Sequence, residues 1–565
     1  MRILVAQMTR MGDMLQNSTL TRALRQRYPD AHITAMVRPL ARAIAERNPD
    51  IDDIILYEED AMFCDLRSRD SDRLLRAYRS AAALVDDLNA RQFDIVYNCT
   101  LSIASAMLLK LVHAPRTVGA HLSDDWRFVL RGRWTNYFFT SVYQRAYSDI
   151  NISDVFRNLM EDAPPVPGLT LAITDEDRRE ARDILARHGI GEQDFVVCMQ
   201  LGASDASKRW PVTHFAELAR RLAAEKSAKI CLLGVESEAP LGEAFEAQAP
   251  GLAVHLFGQT AIPQLAAILE SARVLVTNDT GTMHVAAAVR CPILLLSVGY
   301  VHFRETGPYG EGHLALERRK DYLAPMNKDA ASADERGAIP PGPVMDLLEL
   351  VLEPPRDHRT LPSLPDSPER AMLDVYQSRF APDGFLEWYP VMRRPMTETD
   401  FLRIAYRNTW IAHLCPAVPR ETLQDGIRRV AACFTPGSAS ALDEWHKHWS
   451  AVFLQLEQLA QQGGRKTEQL RTCLRHGRNI AAAREIVGEL MRLDEDTRLF
   501  AELNGGCRPL ISIARFQRDN LEGADPMALA DMTQEIYREL SERAAWMRVH
   551  FDAIRDAMRA VDAET

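Results

Sequence analysis

The sequence predicts an α/β protein of two open, mostly parallel sheets, followed by an all-helical segment. Three observations predict it. Short apolar runs of strand type alternate with helix-patterned stretches from residue 1 to about residue 355. Three of those runs end in loops of small and polar residues that open onto helices, the places where open α/β sheets put their ligands. Beyond about residue 370 the strand pattern stops, and apolar residues recur only at spacings of three and four.

The elements follow in order. Residues 1–165 form the first predicted domain, with strands at Ile3–Gln7, Ile33–Val37, Ile54–Tyr57, Ile95–Asn98 and Thr117–Ala120. Leu20, Leu24 and Tyr28 give the helix after the first strand its apolar face. The charged stretch between Glu58 and Arg91 is longer than a connection needs and ends in a helix. Pro164-Pro165-Val166-Pro167-Gly168 marks a hinge. Residues 170–355 form the second domain, with strands at Phe195–Met199, Lys229–Leu233, Ala253–Leu256, Val274–Thr277 and Ile293–Ser297. A Pro-rich linker is predicted at 356–369.

Residues 370–565 read as a bundle of four to six helices. Leu442, Trp445, Trp449, Val452, Leu456 and Leu459 make one heptad-like seam, and Leu540 to Val561 make a second. The matched seams predict pairing within the chain. Gly463-Gly464 and Gly505-Gly506 are expected to punctuate the helices. A cut near residue 366 is expected to leave the two α/β domains folded.

With 565 residues the chain is too long for one core. A net charge of −11 argues against a general nucleic-acid binder. The nine cysteines are scattered singly, which suits reduced thiols in the cytosol better than disulfides or zinc. No apolar stretch suits a signal peptide or a membrane span. A cytoplasmic protein is expected. It would meet any lipid-linked substrate at the membrane surface.

Three segments carry the chemistry. Met11-Gly12-Asp13 lies in the turn between the first strand and its helix, where Asp13 is either an N-cap or a cleft-facing carboxylate. Leu201-Gly202-Ala203-Ser204, then Lys208-Arg209-Trp210-Pro211, pairs a small-residue loop with cations just before a helix, which suits a diphosphate. Asn278-Asp279-Thr280-Gly281-Thr282-Met283-His284 ends a strand and feeds a helix, so Gly281 permits close backbone approach and Thr280 can hold phosphate or sugar oxygens.

This ordered set resembles glycosyltransferase family 9, the ADP-heptose:lipopolysaccharide heptosyltransferases, over roughly residues 1–355. The family signatures are Met-Gly-Asp, a loop ending in Lys-x-Trp-Pro, and Asp-Thr-Gly-x-x-His. The resemblance implies a GT-B fold, two Rossmann-like domains facing a cleft, with acceptor on the first domain and nucleotide sugar on the second. It implies an inverting, metal-independent transfer of a sugar, heptose from ADP-heptose in the family, to a hydroxyl of lipopolysaccharide core or a related surface glycan at the inner membrane face. Asp13 is then the base, with Gly12 as its turn glycine. Lys208 neutralises the diphosphate, with Ser204, Arg209 and Thr280 beside it. Asp279 contacts the donor sugar, Glu238 the nucleotide ribose, and Gly281 and His284 complete the elbow. No metal or cofactor is implied, because Lys208 and helix ends replace metal charge.

Two departures bear on specificity. The segment Ser297-Val298-Gly299-Tyr300-Val301-His302-Phe303-Arg304-Glu305 stands where the family has a short Gly-Pro-Thr-Asp-Pro-like loop, and Ala203 stands where a hydroxyl residue is common. Trp126-Arg127-Phe128 and Arg131-Gly132-Arg133-Trp134 mix cations with aromatics, as either an acceptor grip or an amphipathic surface helix. A protein acceptor docked by the helical segment, and a silent scaffold that keeps the fold, are the alternative functions. The oligomeric state is left open by the sequence.

Overall fold

The computed structural model describes residues 1–319, 339–352, 372–435, 439–476 and 480–564, so the predicted linker at 356–369 lies outside the described residues. The chain divides into two compact units. The first holds Met1–Thr100, Leu111–Arg116 and Ile150–Arg393; the second holds Leu101–Lys110, Thr117–Asp149 and Arg394–Thr565.

In the first unit, β1 (Arg2–Gln7), β2 (His32–Val37), β3 (Asp53–Leu56) and β4 (Ile95–Asn98) are parallel, with β1 between β2 and β4. Five of the six residues of β1 are buried, as a strand covered on both faces requires. The chain moves outward from β1 to β3, then returns to the other side of β1 as β4. The strand order therefore reverses between β1 and β4, which opens a crevice at their carboxyl ends. The next two strands, β5 (Arg116–Leu122) and β6 (Phe128–Arg131), pair as an antiparallel hairpin that is described with the second unit.

The second sheet of the first unit is built from β7 (Val196–Gln200), β8 (Lys229–Leu233), β9 (Ala253–His255), β10 (Val274–Thr277), β11 (Ile293–Leu296), β12 (Leu314–Arg318), β13 (Leu373–Phe380) and β14 (Leu386–Pro390). Its order is β14-β13-β12-β11-β10-β7-β8-β9. The order reverses between β7 and β10, so their two following loops lie side by side. One continuous apolar cluster runs from Met14 and Leu15 in the first helix to Met283 and Val285 beside the second switch point.

The carboxyl-terminal boundary differs from the sequence expectation. Residues 373–390 are strands that pair antiparallel with β12 and with each other. Their alternating pattern, Leu373-Asp374-Val375-Tyr376-Gln377-Ser378, is diluted by polar residues that are nonetheless buried. Trp388 of β14 meets Phe303 at 5.1 Å. A cut at residue 366 removes these strands and cannot leave the α/β portion intact.

The second unit gathers residues 117–149 with six helices, Glu398–Leu414, Arg420–Ala431, Ala439–His476, Ile480–Leu503, Arg508–Asp519 and Pro526–Glu564. The expected first domain, residues 1–165, is thus divided between the two units. The reason is packing. Trp134 and Tyr137 are each 1% exposed, and Tyr137 meets Trp410 edge to face at 5.5 Å. Tyr147 meets Tyr406 at 5.5 Å, and Phe401 stacks on Phe551 at 4.8 Å. The two predicted seams face each other within the chain: Trp449, Val452 and Leu456 are buried on one long helix, and Leu540, Ala544, Met547, Phe551 and Ile554 on the other.

The cation and aromatic segment is neither an acceptor grip nor one surface helix. Residues 128–131 are β6, and residues 133–143 are a helix. Arg127 donates to the carbonyl of Leu521 at 2.9 Å, Arg131 pairs with Glu522 at 3.1 Å, and Asn520 Oδ1 accepts from the backbone of Leu130 at 2.8 Å. These cations are spent on internal docking.

Gly463-Gly464 does not break its helix, which runs unbroken from Ala439 to His476. A Cβ at Gly463 would fall inside the Tyr537 ring, so this glycine lets the two long helices approach closely. Gly505-Gly506 does punctuate the bundle, as a short turn between two helices.

Two outcomes follow from this packing. Gly463→Val is expected to destabilise the protein by about 1–3 kcal/mol through overpacking against Tyr537; urea unfolding measures it, and an unchanged midpoint contradicts the close approach. Truncation after Arg393 strips residues 117–149 of their aromatic partners. The truncated chain is expected to aggregate in light scattering, and a monomeric, cooperatively folding product would show that the helices are dispensable.

Candidate active site

The site forms within the first unit, where the two switch points meet. After β1 the chain turns through Met8–Arg10 into the helix Met11–Arg27. The backbone N–H of Met8 donates to Thr100 Oγ1 at 2.9 Å, which ties this turn to the end of β4. Asp13 Oδ2 accepts from the Arg10 backbone at 3.1 Å and lies 2.7 Å from the Thr9 hydroxyl. The helix-cap reading of Asp13 is therefore correct for one oxygen. Both contacts use Oδ2, which leaves Oδ1 without a hydrogen-bond partner among the described residues. The Thr9 hydroxyl also lies 2.7 Å from Gln7 Oε1 and has one proton to divide between the two.

Gly12 decides what stands opposite. A Cβ at residue 12 would lie 2.8 Å from His284 Cδ2, and one at Gly281 would lie 3.3 Å from the Met11 methyl. The two glycines thus let the Met11-Gly12-Asp13 turn close on the elbow after β10. His284 is buried, and burial lowers its imidazole pKa below the ordinary value, while Asp279 and Asp13 pull it part of the way back. The ring is neutral at pH 7. That neutral state supports the fold above about pH 6.5, and its contribution is lost as the pH falls below that value. Its Nδ1 is buried without a partner among the described residues.

The elbow and the loop after β7 are fastened by Asn278, which is fully buried. Its Oδ1 accepts from the Trp210 backbone at 2.9 Å, and its Nδ2 lies within 3.0–3.3 Å of the carbonyls of Gln200, Leu201 and Gly202. Trp210 is itself buried, with its indole N–H donating to the Ile339 carbonyl at 2.7 Å. Lys208 Nζ consequently lies 2.9 Å from Asp279 Oδ2, in a pair that is 13% and 15% exposed. The Tyr300 ring lies under the same ammonium, 4.6 Å from Nζ to its centroid. The Tyr300 hydroxyl donates to Asp205 Oδ2 at 3.3 Å. Asp205 is held ionised by the Ser207 backbone and hydroxyl, which lower its carboxyl below the usual range. Gly299, at φ +64°, brings this loop against the Ser207 carbonyl at 2.5 Å from its would-be Cβ.

Glu238 lies against the loop after β7. Gln200 Nε2 and the Val235 backbone donate to its Oε2 at 3.0 and 3.1 Å. A Cβ at Gly202 would fall inside this carboxylate, so that glycine makes room for Glu238. Gln200 Oε1 in turn accepts from Thr282 Oγ1 at 3.0 Å, joining Glu238 to the elbow helix. Thr280 Oγ1 is 3.4 Å from Thr277 Oγ1. Ser204 is exposed. Arg209 turns its guanidinium back onto the Ala203 carbonyl at 2.9 Å, which buttresses the loop.

The structure therefore joins Gly12, Asp13, Lys208, Glu238, Asp279, Thr280, Gly281 and His284 through the contacts of neighbouring loops. Sequence reasoning placed Asn278 and Tyr300 in segments it singled out but gave neither a role, and it missed Gln200, which had no signal. Among the described residues no three His, Cys, Asp or Glu side chains gather as a metal site would.

Residues 81–325 match the family model described as glycosyltransferase family 9 (heptosyltransferase). That match spans most of the α/β portion and makes it similar to glycosyltransferase family 9. The enzyme is 23% identical over 307 residues to lipopolysaccharide heptosyltransferase 2 of Escherichia coli K12, covering 52% of this chain and 82% of that protein. It is 25% identical over 309 residues to lipooligosaccharide heptosyltransferase 2 of Haemophilus influenzae, covering 52% and 83%. A family 9 glycosyl transferase from Veillonella parvula shares the fold, with a TM-score of 0.53 at 22% identity over 62% of this chain and 97% of that one. The α/β portion is a GT-B glycosyltransferase, and the chain is an enzyme of that class.

The Lys208–Asp279 pair makes an opposed pair of outcomes for ligand binding. Lys208→Ala removes a charge-assisted contact and is expected to weaken ADP binding roughly tenfold to a hundredfold, the equivalent of about 1.5–3 kcal/mol. Asp279→Asn removes a carboxylate that competes for Lys208 and repels phosphate, so ADP binding is expected to hold or tighten. Calorimetry at low salt reads both. Equal weakening by the two substitutions would place the diphosphate away from Lys208.

Proposed function

We propose that this glycosyltransferase moves a heptose from a nucleoside-diphosphate donor of the ADP-heptose type to a hydroxyl of lipopolysaccharide core or a related surface glycan, with inversion and without a metal. The carrying observation is the meeting of the Asp13 turn with the Lys208–Asp279 elbow across Gly12 and His284. The names of the relatives support the donor and acceptor class. The family match begins at residue 81, so Lys208, Glu238 and Asp279 lie within it and Asp13 lies outside it.

The geometry supports the following chemistry. An acceptor hydroxyl attacks the anomeric carbon from the face opposite the diphosphate. Charge develops as in other oxocarbenium-like transition states. Asp13 Oδ1 takes the hydroxyl proton, while Oδ2 stays fixed by the Arg10 backbone and the Thr9 hydroxyl. The departing diphosphate gathers negative charge beside Lys208 and the amino-terminal end of the helix Gly281–Ala288. Donor binding must draw Lys208 at least partly from Asp279, which then faces the sugar. Glu238 accepts hydrogen bonds from the ribose.

Asp13→Asn keeps the cap geometry and loses the base. It is expected to lower transfer about a hundred- to ten-thousand-fold with ADP affinity unchanged. Transfer of labelled sugar from ADP-heptose into cell-envelope extract measures it. Wild-type turnover by the Asn variant makes Asp13 a cap alone. Label appearing in a protein band, with the glycolipid fraction unlabelled, would favour a protein acceptor instead.

A further inference from the structure

The loop after β11 carries a side chain to which the proposed chemistry gives no role. Val298, Val301 and Phe303 of this loop are at most 2% exposed, so the chain is anchored on both sides of residue 300. Tyr300 between them is half-buried and reaches the loop after β7. Its hydroxyl donates to Asp205 Oδ2 at 3.3 Å. Asp205 Oδ1 accepts from the backbone and the hydroxyl of Ser207, both at 2.8 Å. Gly299, at φ +64°, sets the backbone before Tyr300 against the Ser207 carbonyl. The short helical turn Ala206–Lys208 is thus gripped at Asp205 and at Ser207 by the same loop. That grip places the Tyr300 ring 4.6 Å from Lys208 Nζ.

Lys208 therefore has two partners of different kinds. Asp279 Oδ2 meets its ammonium at 2.9 Å. A carboxylate repels a diphosphate, so this ion pair has to loosen when the proposed donor binds. A tyrosine ring attracts a cation through the electrons of its face and carries no net charge. It repels no phosphate, and it occupies none of the three N–H donors of the ammonium as a hydrogen-bond acceptor would. A lysine stem is long and flexible, and fixing it costs side-chain entropy. The ring is the partner that can go on meeting that cost after Asp279 has let go.

We infer that Tyr300 is the positioning residue of Lys208: its ring keeps hold of the ammonium while a nucleoside diphosphate draws it from Asp279. The inference rests on the diphosphate being placed at Lys208, as proposed above. It gives a role to a residue of the segment Ser297–Glu305, which stands where the family has a short Gly-Pro-Thr-Asp-Pro-like loop.

The test combines two measurements on the full-length protein, with ADP as the probe. The first is nuclear magnetic resonance of lysines labelled with carbon-13 at Cε, the Lys208 signal being assigned through Lys208→Arg. Hydrogens over a ring face are shielded, so the ε-methylene of Lys208 is expected upfield of the other lysines in the wild type and in Tyr300→Phe. It is expected among them in Tyr300→Leu, and it should stay upfield when the wild type is saturated with ADP. The second measurement is calorimetry. Tyr300→Phe is expected to bind ADP within about twofold of the wild type, and Tyr300→Leu roughly threefold to tenfold more weakly. In a Lys208→Ala background Tyr300→Leu should weaken binding no further, because the ring acts through the lysine. An unshifted Lys208 signal, a shift lost on adding ADP, wild-type affinity in Tyr300→Leu, or additive losses in the double variant each overturn the inference. The wild-type spectra decide it even where Tyr300→Leu fails to fold. Lys208→Ala binding ADP as tightly as the wild type overturns instead the placement of the diphosphate, and with it the part of Tyr300 in ADP binding.

Discussion

The buried side chain of Asn278 is the constraint on which the meeting of the loops after β7 and β10 depends. An amide has donors and an acceptor in one plane, so it can satisfy a loop from both sides. Here it holds the carbonyls of Gln200 to Gly202 with one end and the Trp210 backbone with the other. Lys208 is thereby fixed against Asp279, and Glu238 against Gly202. Buried and unpaired, these backbone groups would cost about 1–3 kcal/mol each. An aspartate in place of Asn278 could accept from Trp210 but could offer nothing to the carbonyls.

The approach of the Asp13 turn to the elbow depends on absent side chains. Gly12 and Gly281 stand where the two switch points touch, and a methyl at Gly12 would press on His284. The two turns come this close because these positions carry no Cβ. The same device recurs at Gly202, which admits a carboxylate, and at Gly463, where the bundle helices come together around Tyr537. The Tyr300 loop adds a different kind of control. Its ring and the Asp279 carboxylate hold the Lys208 ammonium in place.

The helical extension shows how packing overrides the order of the sequence. Residues 117–149 belong in sequence to the first α/β half, yet their aromatic faces and their arginines are satisfied by residues of the carboxyl-terminal helices. The cations at Arg127 and Arg131 look like ligand contacts when read along the chain. In the fold they are hydrogen-bonded to Leu521 and Glu522, and nothing local to them reveals that. The polar content of β13 misleads in the same way, because Asp374, Gln377 and Ser378 are buried and paired rather than solvated.

By itself the sequence determined the parallel strands from Ile3 to Ile293, the three loops that carry Asp13, Lys208 and Asp279, and the two seams that pair in the bundle. These are local or periodic signals, and residue type, spacing and turn chemistry suffice to fix them. Tertiary structure alone decided which loops meet, that Asp13 offers one oxygen while the other caps a helix, that Lys208 is balanced between Asp279 and Tyr300, and that residues 117–149 and 373–390 join the units they do. Those outcomes depend on pairs far apart in the chain, such as Gly12 with His284 and Asn278 with Trp210. A single sequence carries no record of such distances, which arise only when burying one surface forces two remote segments into contact.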